Sequence, residues 1–138
     1  MSNEDSVRAY WDRLWSRGEV EYALEFYAPT YRENDEEREA ADFVEAARAT
    51  RAKFEAFEVT VNRLFHIDGG IVSHVSYRGH RHIGAYKSHH VPASGKDVEM
   101  TGLDVFLFED GRCVEQLHEA DHYTMFVQLD APPTAATA

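Results

Sequence analysis

The sequence predicts an α+β fold in which helices come first along the chain and an antiparallel sheet follows. In the first part of the chain apolar residues repeat at the helical period of about 3.6, and in the second part they alternate at the strand period of two. Asp68-Gly69-Gly70 and Asp110-Gly111 are hairpin-turn signals between strand-like runs. Helices followed by strands are typical of helices packed on one face of an antiparallel sheet.

Three helices are predicted, and each has a recognisable boundary. Ser2 with Asp5 resembles a capping box, and Gly18 is a suitable residue to end the first helix. Pro29 ends the second helix. The predicted helices run to residue 18, over 19–28 and over about 39–56, with a polar loop or short strand over 30–38.

Four strands are predicted after the helices, joined as a meander. They cover about residues 59–67, 71–82, 98–108 and 112–126, and a long connection covers 84–96. A strongly curved antiparallel sheet of four or more strands, with three helices packed on it, forms a cone. We therefore expect an internal pocket.

The composition argues for a soluble single domain. A chain of 138 residues is most simply one domain, which we place over 1–129 with a disordered tail over 130–138. The formal charge of −11, from 25 acidic and 14 basic residues, argues against nucleic-acid binding. No signal-peptide pattern or long apolar run occurs, so we expect a cytoplasmic protein that does not enter a membrane. The single cysteine, Cys113, excludes an internal disulfide.

Several short segments, taken in order, resemble those of a known family. They are VRAYW at 7–11, LWSRGE at 14–19, FYAPTY at 26–31, HIG at 82–84, PASGK at 92–96, GLDVF at 102–106, EDG at 109–111, VE at 114–115 and Asp121. In this order and spacing, over about residues 6–129, the chain resembles the polyketide cyclase (SnoaL-like) family of the nuclear-transport-factor-2-like superfamily. It differs from the family pattern at Leu117, where a Trp is usual, and at Glu33-Asn34, where an acidic residue and a His are usual.

The resemblance implies a small acid–base enzyme that needs no cofactor. Such an enzyme removes a proton next to a carbonyl of a small hydrophobic substrate, and aldol-type cyclisation, dehydration or isomerisation follows. The family also implies a homodimer formed through the exposed sheet face.

By the same resemblance, the catalytic residues are Asp121 and His82. Asp121 matches the family's acid–base aspartate, and a carboxylate shielded from water can have a pKa suited to proton transfer. His82 can polarise a carbonyl or orient Asp121. The alternatives are a solvated carboxylate at a strand end and a half-exposed strand histidine.

Asp104 and His80 are further candidates for the pocket. Asp104 lies in an apolar strand, where a carboxylate needs a partner, so it is either paired with Arg78 or Arg81 or is a second pocket acid. His80 has the same strand parity as His82, so both side chains point the same way unless a bulge intervenes.

Aromatic residues are expected to line the pocket. Trp11, Trp15 and Tyr27 are candidates for its wall, and Tyr31 and Asn34 for its mouth. The alternative for the aromatic residues is an ordinary core position.

Three other functions are weighed against the acid–base enzyme. Metal binding through the histidines at 80, 82, 89, 90, 118 and 122 is disfavoured because neither a thiolate pair nor a His-Glu-x-x-His motif occurs, so we expect no metal. A ligand-binding or dimerisation domain without chemistry predicts a sealed pocket, or one without a desolvated carboxylate. A hydrolase acting on an epoxide or ester predicts Asp104 and Asp121 buried in one cavity.

Overall fold

The computed structural model of the protein describes residues 1–84 and 93–129, and it confirms the α+β class. In these residues no helix combines the length and apolar character needed to cross a membrane. The helical elements are α1 (Asn3–Ala9), a π-helical segment (Tyr10–Ser16), a short 3₁₀ helix (Val20–Tyr22), α2 (Ala23–Phe26), α3 (Ala40–Arg51) and α4 (His122–Gln128). The strands are β1 (Tyr27–Glu33), β2 (Glu36–Glu39), β3 (Phe54–Ile67), β4 (Gly70–His82), β5 (Val98–Glu109) and β6 (Arg112–Ala120).

The six strands form one sheet in the order β2-β1-β6-β5-β4-β3. The consecutive strands β3 to β6 pair antiparallel, which confirms the predicted meander. The strand β1 pairs antiparallel with β2 and parallel with β6. The cone shape stays a prediction.

The prediction that three helices precede the whole sheet is wrong, because β1 and β2 lie between α2 and α3. Pro29 falls inside β1, where the register with β6 shifts between Tyr27 and Arg32. Proline is tolerated at such an irregularity because the ladder is interrupted there. Every residue of β2 is charged and exposed, so no alternation marks it as a strand.

The first helix begins and ends where the sequence predicts. Ser2 Oγ accepts a hydrogen bond from the Asp5 backbone N–H at 3.1 Å, and Asp5 Oδ2 accepts one from the Ser2 N–H at 3.3 Å. Gly18 has a φ of 75°, a left-handed conformation that favours glycine. Between these ends, the π-helical segment brings Tyr10 and Trp15, five residues apart, onto one face.

The third helix is shorter than predicted, because β3 already begins at Phe54. Arg51, the last residue of α3, donates to the backbone carbonyls of Trp15 and Ser16 at 2.7 and 3.1 Å. These bonds satisfy carbonyl groups at the end of the π-helical segment. They therefore fix Trp15 relative to α3.

The prediction of a last strand reaching residue 126 is wrong beyond Ala120, where the chain turns into α4. Asp121 is the N-cap of this helix and accepts hydrogen bonds from the Thr124 backbone and hydroxyl. Met125 and Phe126 are buried. The predicted tail at 130–138 and the histidines at 89 and 90 lie outside the described residues, as does most of the predicted connection at 84–96.

Candidate active site

A cavity of about 260 Å³ lies between the helices and the inner face of the sheet. This volume is just below the roughly 300–1,000 Å³ typical of small-molecule sites. Most of the wall is aromatic and aliphatic, and a few side chains in it are polar. The aromatic residues that line it are Tyr10, Trp11, Trp15, Phe43, Phe54, Phe57 and Tyr77, and the titratable or amide residues are Glu33, Gln116, His118 and His122.

The central polar feature is a pair formed by Asp104 and His118. The register of β5 and β6 sets these two residues opposite each other. Asp104 is fully buried, and its Oδ2 accepts hydrogen bonds from His118 Nδ1 at 2.8 Å and from Gln116 Nε2 at 2.7 Å. The His118 side chain is 32% exposed and lines the cavity. The carboxylate thus lies behind the wall, and the imidazole lies in it.

The hydrogen bond to Asp104 assigns the tautomer of His118. A carboxylate only accepts hydrogen bonds, so Nδ1 carries the proton of the neutral ring. The lone pair is then on Nε2, which makes no hydrogen bond to any other described residue. His118 can therefore accept a proton at Nε2.

A chain of hydrogen bonds supports Asp104 from behind. Tyr27 contacts Gln116 Oε1 with its hydroxyl, and the Tyr10 and Tyr27 hydroxyl oxygens are 3.0 Å apart. Because the single hydroxyl proton of Tyr27 goes to Gln116, Tyr10 is the donor to Tyr27. Burial raises the pKa of both tyrosines well above 10, so both remain donors. Every donor in this chain points toward Asp104, an arrangement that stabilises a negative charge there.

The electrostatic surroundings favour a proton on His118. Burial opposes a charge on the ring, but the hydrogen bond and the negative charge of Asp104 outweigh it, and the pKa of His118 is raised above its ordinary value. Glu33 and Glu119 act in the same direction. Burial also raises the pKa of Glu33, which lines the cavity from β1.

Asn34, predicted at the pocket mouth, instead holds the backbone of His118. Its Oδ1 accepts from the His118 N–H at 2.8 Å, and its Nδ2 donates to the His118 carbonyl at 3.2 Å. The Asn34 φ of 48° lies in the left-handed region, which asparagine tolerates better than most residues. This side chain does not line the cavity, and it acts as a positioning residue for the imidazole.

The structure places two of the predicted wall residues in the wall. Trp11 and Trp15 line the cavity, and the Trp11 indole also donates to Ser73 Oγ at 3.1 Å. Tyr27 and Tyr31 are buried but do not line it. Their rings stack with centroids 4.0 Å apart, so both support the wall from behind.

The prediction that Asp121 is shielded from water is wrong. Its carboxylate is exposed and caps α4, and hydrogen bonds from the Thr124 hydroxyl and backbone lower its pKa. Asp121 does not line the cavity. The arrangement predicted for a hydrolase, with Asp104 and Asp121 buried in one cavity, is therefore not found.

His82 and His80 lie outside the cavity wall. His82 is fully buried, so the alternative of a half-exposed side chain is also wrong, and its Nδ1 is 3.2 Å from Ser94 Oγ. Burial lowers the pKa of His82. His80 is exposed, with Nε2 3.4 Å from Glu58. The two side chains point in different directions because Arg81, with a φ of 57°, breaks the strand alternation between them.

The prediction that Asp104 pairs with Arg78 or Arg81 is also wrong. Arg78 contacts Glu99 at 3.4 Å, and Arg81 contacts Glu55 at 3.1 Å, both at the surface. Asp104 is therefore the buried acid behind the cavity. Over residues 1–84 and 93–129, no three His, Cys, Asp or Glu side chains converge in a geometry that could hold a metal ion.

Comparison with known protein families assigns the chain to one of them. The family model of the SnoaL-like polyketide cyclases matches residues 5–129. The chain belongs to this family. No curated protein matches the chain.

Solved structures share the SnoaL-like fold over nearly the whole chain. TsrD from Streptomyces laurentii superposes with a TM-score of 0.83 at 23% identity, covering 93% of this chain and 94% of that one. IdmH from Streptomyces antibioticus gives a TM-score of 0.79 at 22% identity, covering 95% and 100%. A SnoaL-like polyketide cyclase from Agrobacterium tumefaciens gives 0.79 at 13% identity, covering 94% and 98%. At these identities the likeness establishes the fold.

Sequence reasoning names Asp104 as a candidate pocket acid, but it weighs His118 only as a metal ligand and misses Gln116. His118 and Gln116 are polar side chains on alternate positions of a strand, which place them on one face. Glu33 lies in the segment predicted to be a polar loop or short strand. The alternation in β6 is the signal that could have found His118 and Gln116.

Proposed function

We propose that this SnoaL-like protein is an acid–base enzyme that removes a proton from carbon next to a carbonyl, with His118 as the base. The product forms by aldol-type cyclisation, dehydration or isomerisation of a small hydrophobic substrate. The observation that carries the proposal is the hydrogen bond between His118 Nδ1 and the buried Asp104 carboxylate, which leaves Nε2 free at the cavity wall.

In the first step, Nε2 of His118 takes the proton. The carbon–hydrogen bond breaks, its electron pair forms an enolate, and the ring becomes an imidazolium with protons on both nitrogens. Asp104 stabilises this cation through the bond at Nδ1 and through its charge. The raised pKa of His118 improves the driving force for proton removal near neutral pH.

In the second step, the imidazolium returns the proton. Delivery to a different carbon isomerises the substrate. Delivery to the alkoxide formed when the enolate attacks a second carbonyl completes an aldol closure, and delivery to a hydroxyl that leaves as water gives dehydration. One imidazole can serve all three outcomes because it both accepts and donates at Nε2.

The cavity wall supports an uncharged aromatic or alicyclic substrate. Its aromatic side chains offer flat apolar surface. Among the described residues that line the cavity there is no Lys or Arg to neutralise an anion, whereas Glu33 is present. The volume favours one or two fused rings. The desolvated carboxylate of Asp104 favours chemistry over binding alone.

The test is exchange of the protons next to the carbonyl of β-tetralone, a two-ring ketone, in deuterium oxide, followed by proton NMR. The wild-type protein is expected to accelerate exchange, and His118→Gln to lower the rate about 100-fold to 10,000-fold. His74→Gln is the matched control, because His74 contacts Asn62 at the surface away from the cavity. Equal rates for wild type and His118→Gln would contradict the proposal, as would no acceleration by the wild type.

A further inference from the structure

Two buried polar atoms near the catalytic pair have no hydrogen-bond partner among the described residues. They are the hydroxyl oxygen of Tyr77 and Oδ1 of Asp104, the carboxylate oxygen that His118 and Gln116 do not use. Neither atom is accessible to water. A buried polar atom without a partner destabilises the fold, and the cost is larger when the group is charged. The pair is chemically complementary, because one atom is a donor and the other an acceptor.

The sheet register explains why these two atoms are close. In the ladder between β4 and β5, Tyr77 faces Met100, and the next two inward positions of β5 toward its end are Gly102 and Asp104. The Tyr77 ring lies over Gly102. A Cβ there would be 2.6 Å from a ring carbon of Tyr77 and 3.0 Å from its hydroxyl oxygen. Only glycine leaves room for the phenol to extend along the strand toward Asp104.

We propose that Tyr77 is a positioning residue whose hydroxyl donates to Oδ1 of Asp104 and thereby sets the proton affinity of His118. A small displacement of the ring over Gly102 completes the bond. The negative charge of Asp104 and burial both keep Tyr77 protonated, since burial first and then this charge raise its pKa well above 10. The inference rests on the proposed function, in which His118 must be a base of the right strength.

The direction of the effect follows from the charge on Asp104. A third donor stabilises the carboxylate most when His118 is neutral, because the carboxylate then lacks the positive charge of the imidazolium. Removing the donor therefore makes the imidazolium more favourable and raises the pKa of His118. A higher pKa shifts the onset of base activity to higher pH.

Other groups around the pair also influence this titration. Glu33 on β1 and Glu119 on β6 raise the pKa of His118, and His122 of α4 lines the same cavity. Tyr10, on the π-helical segment, has a pKa that is raised by burial and then by the charge of Asp104. None of these groups is altered by removing the Tyr77 hydroxyl, so they form a constant background for the comparison.

The experiment is an NMR titration of the His118 ring in the wild type, in Tyr77→Phe and in Tyr22→Phe. Tyr22 is the matched control because its hydroxyl lies near the Met1 sulfur, at 3.8 Å, away from the site. The pKa of His118 is expected to rise by about half a unit or more in Tyr77→Phe and to stay unchanged in Tyr22→Phe. An unchanged or lowered pKa in Tyr77→Phe would overturn the inference.

Two further measurements keep the inference testable if Tyr77→Phe does not fold. Gly102→Ala retains the phenol but displaces it, so it is expected to raise the pKa of His118 in the same direction. In the wild type, the Tyr77 hydroxyl proton is expected to move in the NMR spectrum as His118 titrates, and a resonance insensitive to that titration would overturn the inference. None of these readouts needs a substrate. If the pKa of His118 does not respond to these changes while β-tetralone exchange still depends on His118, Tyr77 has no positioning role and the proposed function is unaffected.

Discussion

Asp104 and Asp121 have the same side chain, but one is buried and the other is exposed. Asp104 lies in the middle of the sheet, is fully buried and accepts hydrogen bonds from an imidazole and an amide. Asp121 directly follows Ala120, the last residue of β6, is exposed, and accepts hydrogen bonds from the backbone and hydroxyl of Thr124. Burial and partners, rather than the position of an acid at a strand end, determine whether a carboxylate can tune a base.

The largest expected difference between the two acids is in catalysis. In Asp104→Asn the negative charge that stabilises the imidazolium of His118 is lost, which lowers the pKa of His118 and weakens the base, so we expect β-tetralone exchange to fall about 100-fold or more. Asp121→Asn retains a good N-cap and is expected to keep the rate within about twofold. An equal fall of the exchange rate in both variants would contradict this assignment of Asp104, and a fall mainly in Asp121→Asn would reverse it.

A smaller difference is expected in the pH dependence of stability. The folded-state pKa of His118 is raised, so its contribution to the free energy of unfolding is fully present below about pH 6.5 and is lost as the pH rises through the folded value. The folded-state pKa of Asp121 is lowered, so its contribution is present above about pH 3.9 and is lost as the pH falls through the folded value.

Urea unfolding at a series of pH values measures both contributions. Relative to wild type, His118→Gln is expected to flatten the decline of stability above about pH 6.5 and leave the acidic range unchanged. Asp121→Asn is expected to flatten only the decline below about pH 4. If His118→Gln changed stability below about pH 4, or Asp121→Asn changed it above about pH 6.5, the two carboxylates would not act in separate pH ranges.

The helix caps, the hairpins and the period of the strands could be predicted from sequence because each depends on neighbouring residues. The capping box at Ser2 and Asp5 and the turn at Asp110-Gly111 are of this kind. The N-cap at Asp121 could not be recognised from sequence, because the apolar residues after it are equally compatible with a strand.

The central pair could not be predicted, because its register depends on an irregularity within the sheet. The turn pairs Glu109 with Arg112, and an undisturbed ladder would set Asp104 opposite Leu117. The register shift between Leu107 and Phe108 moves the partner by one residue to His118. A one-residue slip in a strand exchanges the two faces, so the irregularity decides whether a leucine or an imidazole meets the acid.

The most direct test of His118 as the base is the tautomer of its neutral ring, read from heteronuclear NMR of the two imidazole nitrogens at a pH above its titration. We expect a protonated Nδ1 that is hydrogen-bonded to Asp104 and an unprotonated Nε2, and loss of this preference in Asp104→Leu, which has no acceptor. A neutral ring protonated at Nε2 in the wild type would contradict this expectation, because no base would then face the cavity.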